Sequence, residues 1–404
     1  MSQAITCLKR GEDEENPPLP PPPRSPHFFP RETLFRQENG VTYRIPALLY
    51  VPPTSTFLAF AEKRSSTRDE DAKYLVLRRG HQQGSSVQWG PVEELSTLVL
   101  PGRRTMNPCP LYDATTGTVI LFCICVERGR SERCQIWTGC SAARLCLATS
   151  SDGGQHWSPL RDVTEEAVGD DLSRWATFAV GPGHGVQLAS GRLVVPAYTY
   201  YIHGCLCGVV RLPCFTHSHA LVFYSDDGGH SWHKGDLVAG QPTIECQVAE
   251  ITGKDAPLLY CNARALGGCR VVTFSADRGS RFQQSAQCQA LGEPPHGCQG
   301  SVVSFSITPG EETPRWLLYS HPTDRQQRRD LGVYLNPAPL DGEGWRHPWV
   351  LHPGPAGYSD LAVCPDGFFG CLFECGTTSP CEEITFCLFT LVTPQDGEEN
   401  LKAS

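Results

Sequence analysis

Three short segments of this chain repeat one pattern, Ser-x-Asp-x-Gly-x-x-aromatic. Residues 150–157 read SSDGGQHW, residues 225–232 read SDDGGHSW, and residues 275–282 read SADRGSRF. Each copy follows an apolar stretch of strand type, and their starts lie 75 and 50 positions apart. The pattern does local work. Ser and Asp side chains bond the turn backbone, Gly supplies a positive φ, and the aromatic packs under the hairpin. A supersecondary unit of roughly fifty residues fits one four-stranded propeller blade. The boxes therefore mark blades and do no chemistry. The third copy, with Arg278, Ser280 and Phe282, departs most from the turn residues of the others, so its blade is expected to be looser.

The rest of the chain agrees with an all-β fold. TFLAFAEKR, GTVILFCICVE, GRLVVPAYTYY and RWLLYSHP are short apolar runs broken by turns, and no long helical period is visible. Residues 1–35, acidic and then Pro-rich, cannot bury enough apolar surface to offset their ordering entropy. They are expected to form a disordered tail, followed by one domain over residues 36–392 and a C-terminal tail over residues 393–404. No apolar leader is visible at the N-terminus and no Asn-x-Ser/Thr sequon occurs, so the 20 cysteines are read as reduced thiols, mostly core. Their spacing, and that of the 13 histidines, does not suggest a metal site. A net charge of −9 argues against a nucleic-acid partner.

One residue breaks its surroundings. Arg44 stands inside VTYRIPALLYV, a run otherwise fit for a buried strand. With the downstream boxes, YRIPALL resembles the sialidases, over roughly residues 36–392. FAEKR, TMNPCP, ECQVAE, QRRDLGVYLN and GYSDL resemble the vertebrate cytosolic and membrane-associated branch, and YRIPALLYVPP and RLVVPAYTYY its ganglioside-cleaving, plasma-membrane members. The resemblance implies a six-bladed β-propeller with Asp-box hairpins and a retaining exo-alpha-sialidase needing no cofactor.

It also implies a set of site residues. Sialic acid carries a carboxylate on its anomeric carbon, and a guanidinium grips a carboxylate with two parallel hydrogen bonds. By motif the family's three arginines are Arg44, Arg264 and Arg328, the last flanked by Arg325 and Arg329. Glu374 is expected to hold the first, with Glu62 assisting. A carboxylate nucleophile would meet the substrate's own carboxylate, whereas a neutral Tyr avoids that repulsion. Tyr358 matches the nucleophile and Glu245 the partner that takes its proton, with Glu250 the competing choice. Asp69, in the charged loop RSSTRDED, matches the acid/base. That acid must begin protonated, so a mildly acidic rate optimum is expected. Arg64, Met106 and Asn107 are expected near the N-acyl group and 4-hydroxyl, and Glu132, Tyr198 and Tyr200 along the glycerol and N-acyl arms. His184 is read as a loop histidine.

Residues 193–210 are long enough to consider as a membrane span but carry Pro196, His203 and two glycines. They read instead as a strand running into an apolar rim loop, which either touches a bilayer or a ceramide tail, with Cys205 and Cys207 as S-acylation candidates, or packs on the protein. The expected location is the plasma membrane, peripherally, with cytoplasmic or endomembrane placement as the alternative. A sialoside-binding propeller without catalysis and a trans-sialidase are the rival functions. Only the first rival would have no use for Tyr358, Glu245 and Asp69 together.

Overall fold

The computed structural model describes residues 25–204, 215–306, 316–341 and 344–392. Strands dominate it, in five antiparallel sheets with a propeller-like arrangement. In chain order the sheets are built from residues 42–94, 103–162, 175–234 and 243–292, and from residues 301–392 joined by two N-terminal strands. The strands are apolar on both faces because neighbouring sheets cover them. Thr118–Glu127 (TVILFCICVE) is buried from Val119 to Val126, including Cys123 and Cys125. Phe122 meets Trp232 of the next sheet edge to face, with ring centroids 4.6 Å apart.

In four sheets the innermost strand starts at one end, and the hairpin to the third strand returns to that end. There the strands Thr42–Val51, Arg103–Asp113, Trp175–Val180 and Thr243–Ile251 bring Arg44, Asn107, Thr177 and Glu245 together. The Asp boxes close the opposite end. In each, the box Ser donates to the box Asp at 2.7–2.8 Å and accepts a bond from the Gly amide at 2.8–2.9 Å. The third box makes the same bonds as the others, so it is not looser in its hydrogen bonding. Its departure appears instead in the backbone, where Arg278, at φ +61°, takes the left-handed position that Gly153 and Gly228 fill elsewhere at +72° and +69°. The boxes also lock neighbouring sheets: Arg192 grips Asp226 with two bonds of 2.7 Å and donates to Arg278 O and Ser280 Oγ of the third box.

The domain starts earlier than residue 36. Ser25–Phe28 and Glu32–Arg36 both pair antiparallel with the last strand, Glu383–Val392. Leu34 and Phe35 are buried, so this stretch has the apolar surface that the Pro-rich reading denied it. The remainder of the expected N-terminal tail, the C-terminal tail, and Cys205 and Cys207 lie outside the described residues. Leu193–Gly204 is a strand paired with Phe215–Ser225. No described helix is long and apolar enough to cross a membrane.

Candidate active site

The inner strands do not run evenly into the centre. The register slips between Arg44 and Ala47, Met106 and Cys109, Trp175 and Thr177, Thr243 and Cys246, and Ala356 and Ser359. A bulge turns a side chain away from the pleat and bends the strand. Four of these five bulges hold or adjoin a residue expected at the site: Arg44, Asn107, Glu245 and Tyr358. Two impose an uncommon backbone, with Ile45 at φ +61° and Asn107 at φ +53°. Strain of that kind in a β-branched residue persists only where the surroundings over-determine it. At Ile45 the amide is held by Glu374, 3.0 Å away.

The bulges face a cavity of about 350 Å³. Its wall includes Arg44, Arg64, Asp69, Met106, Asn107, Glu132, Tyr198, Tyr200, Glu245, Arg264, Arg328 and Tyr358. The two remaining expected residues, Glu62 and Glu374, are buried behind it. Glu374 accepts from Arg44 Nε at 2.6 Å and from the amides of Ile45 and Tyr358 at 3.0 and 3.1 Å. Gly357 makes room for it, since a Cβ there would lie 2.6 Å from the Glu374 carboxylate. Glu62 bonds none of the three expected carboxylate-gripping arginines. It accepts from Arg64 Nε at 2.8 Å and from the Asn107 amide at 2.7 Å. Both acids therefore act through the residues they hold and do not touch the cavity.

Tyr358 lies at the centre. Its hydroxyl donates a short hydrogen bond to Glu245 Oε1, and Glu245 Oε2 accepts from Arg264 Nη1 at 2.7 Å. Arg264 Nη1 also reaches the Tyr358 oxygen at 3.1 Å and fixes its fork on the carbonyl of His296. The Arg44 and Arg328 guanidiniums stand 5.4 and 5.5 Å from the Tyr358 ring centroid. Burial and the Glu245 carboxylate push the phenol well above its usual range, against the pull of Arg264 and Arg328. Burial alone would lower Arg44, but Glu374 outweighs it and the guanidinium stays firmly charged. Arg328 donates to the Gly297 carbonyl at 2.9 Å and has no carboxylate partner among the described residues. Its neighbours point elsewhere, Arg325 to the Gln289 carbonyl and Arg329 to Asp330.

Asp69 approaches from the loop after Thr56–Arg64. Its side chain is 55% exposed and accepts from Arg64 Nη1 at 2.6 Å. Across the cavity, Glu132 is carried by the helix Glu132–Thr138 and accepts from Tyr198 Oη at 3.2 Å. Burial, with the Asp69 and Glu245 carboxylates nearby, raises Glu132 to about 7. Glu250 lies away from this group, in a second cavity at the opposite end, where it accepts from the Ala189 amide. His184 lies in a loop, as expected, but is not solvated. It is buried and bonds Asp360 at 2.7 Å. Sequence reading missed Arg104 and Gln135, which also line the cavity. Arg104 carried a signal, since it lies two positions before Met106 on one strand face. Gln135 carried none, because its short helix had no visible period. Among the described residues no three His, Cys, Asp or Glu side chains converge as a metal site requires.

Fold and cavity define a class: a propeller-like fold whose centre gathers arginine forks, a buried Tyr–Glu pair and a loop-borne acid around one cavity. Comparison with known proteins narrows it. Residues 55–371 match the family model described as BNR repeat-like domain. Human Sialidase-3 is 55% identical, the alignment covering 88% of this chain and 91% of that one. Mouse Sialidase-4 is 43% identical, over 91% of this chain and 94% of that one. Among solved structures, the Hadza microbial sialidase Hz136 aligns at a TM-score of 0.69 and 24% identity, over 88% of this chain and 66% of that one. The chain belongs to the sialidase family.

Proposed function

We propose that this sialidase is a retaining exo-alpha-sialidase acting on gangliosides while bound peripherally to a membrane, with Tyr358 as its nucleophile. The observation that carries the mechanism is the hydrogen bond from the buried Tyr358 hydroxyl to Glu245 beneath the arginines. Arg44, Arg264 and Arg328 grip the substrate carboxylate and hold its anomeric carbon over Tyr358. As the glycosidic bond breaks, Asp69 protonates the leaving oxygen. The phenolic oxygen bonds to the anomeric carbon and its proton passes to Glu245, so no free phenolate forms. Asp69, now a base, takes a proton from water. The water oxygen displaces Tyr358, and Glu245 returns the proton. Arg64, Met106 and Asn107 contact the N-acyl side and 4-hydroxyl, and Glu132, Tyr198 and Tyr200 the remaining arms. Two displacements return the original anomeric configuration.

The membrane placement rests on the apolar sequence of residues 200–215, expected at the rim. For the fold we infer six blades. The long strand Trp349–Val363 pairs with Arg329–Asn336 through its first half and with Phe368–Cys375 through its second, so the largest sheet counts as two.

The test is sialic acid release from ganglioside micelles and from soluble sialyllactose, with NMR of the first anomer formed. Release of the α-anomer, faster from ganglioside and lost in Tyr358→Phe and Asp69→Ala, is the expected result. Release of the β-anomer first would overturn the retaining mechanism. Saturable sialoside binding without release would leave a binding propeller.

A further inference from the structure

The most exposed large apolar side chains among the described residues are Leu266 at 70%, Trp137 at 62% and Phe215 at 58%. They belong to three successive sheets, and each lies at the cavity end. Trp137 sits on the helix whose Glu132 and Gln135 line the cavity wall. Phe215 pairs with Gly204, on the strand that carries Tyr198 and Tyr200 into the cavity. Leu266 follows Arg264 by two positions, in the turn before Cys269–Ser275. The corresponding turns of the other sheets have polar tips, with SSTRDED at 65–71, TDRQQR at 323–328 and GTTSPCE at 376–382. One side of the mouth is thus crested with apolar side chains and the other is not.

Charge marks the same side. Arg128 and Arg133 are exposed in the segment that bears Trp137, and neither forms an ion pair with a described residue. They stand in the same segment as the exposed indole, where Glu127 is the one exposed acid. An indole flanked by guanidiniums suits a bilayer interface, where the ring enters the headgroup boundary and each cation meets anionic lipid. A protein partner would be expected to present a shaped apolar socket, whereas three separate tips at one end need only a fluid surface.

We propose that Trp137, Phe215 and Leu266, with Arg128 and Arg133, form a crest that seats the open end of the propeller on an anionic lipid bilayer. The crest deepens the ganglioside reading above by assigning which residues meet the membrane. It sets the cavity mouth beside the headgroup layer, and it lies outside the residues that contact the sugar.

The test separates lipid binding from hydrolysis. The full chain is sedimented with phosphatidylcholine–phosphatidylserine vesicles that contain no sialylated lipid, and sialyllactose hydrolysis is measured in parallel. Combined Trp137→Gln and Leu266→Gln should weaken vesicle binding at least about tenfold. Arg128→Glu with Arg133→Glu should remove the salt-sensitive part of the binding. Sialyllactose hydrolysis should be unchanged in both. Val350→Gln, at an exposed apolar position off the crest, is the control and should change neither readout. Vesicle binding unchanged in the crest variants overturns the proposal. So does wild-type protein that ignores the vesicles but pairs with a second protein through the crest. Wild type that binds vesicles through the crest yet releases no sialic acid would overturn the hydrolytic reading and support the crest.

Discussion

The two ends of the sheets handle charge differently. At the box end the motif aspartates Asp152, Asp227 and Asp277 are satisfied within a few positions, as when Asp227 accepts from the Ser225 hydroxyl and the Ser231 amide and hydroxyl. At the cavity end the partners gathered around Arg44 and Tyr358 are distant in sequence, although Asp69 bonds Arg64 only five positions away. Arg44 and Glu374 are 330 positions apart, Tyr358 and Glu245 113, and Arg264 and Tyr358 94. Local closure makes a part that can be copied from sheet to sheet. Distant closure makes a site that exists once and depends on all the copies being in place. Substitutions at the box end should therefore lower stability and spare chemistry, and those at the cavity end should do the reverse.

The sharpest contrast is Tyr358→Phe. It removes one oxygen and keeps the ring between its two guanidiniums, so kcat should fall about 10⁴-fold, worth about 5 kcal/mol of barrier. The melting temperature should barely move. A rate loss under tenfold would remove Tyr358 from the chemistry. Next comes Trp232→Ala at the other end. This fully buried ring should cost about 4 kcal/mol in denaturant unfolding while the folded fraction keeps its kcat/KM. Loss of both would mean the ends are energetically one unit. Glu374→Ala should break the contrast, because it leaves Arg44 without its buried partner. About 3 kcal/mol of stability should be lost, and KM should rise strongly in the same variant.

Asp227→Ala should cost about 1 kcal/mol. Burial opposes ionisation there, but bonds from Ser231 and Ser225 hold the carboxyl well below its usual range. Its stabilisation is present above the unfolded value of about 3.9 and is lost as pH falls toward the folded one. The stability difference between wild type and variant should accordingly shrink in acid. The smallest effect is expected from Glu132→Gln. Glu132 ionises near pH 7 in the folded protein, and its charge then opposes an anionic substrate. KM should rise above that pH in wild type and rise less in the variant. Equal KM profiles would separate Glu132 from the substrate.

The same contrast explains what could be read from the sequence. Boxes are local, so three copies in register were enough to point to a propeller. Arg44, Glu245 and Tyr358 were legible through motifs, Arg44 also because it breaks an apolar run. The bulges that aim them were not, since a register slip depends on the partner strand. Glu62 was misread as helping the arginine trio because its place opposite Arg44 in the ladder says nothing about which way its side chain turns. His184 was read only as a loop histidine, and its bond to Asp360 was hidden because that partner lies far along the chain. Ser25–Phe28 and Glu32–Arg36 were hidden by their Pro-rich neighbours, and their strand character comes from an edge that Glu383–Val392 supplies.

That last pairing has a consequence for biosynthesis. The strand that closes the sheet on residues 25–36 is made after every other described strand, and Glu374 precedes it by only a few positions. A growing chain holds Arg44, Asp69 and Glu245 long before it holds Tyr358 and the acid that fixes Arg44. Until synthesis passes residue 374 the nascent protein should be catalytically silent, and a fragment cut before that point should remain so. Turnover is then a built-in certificate that the ring has been completed.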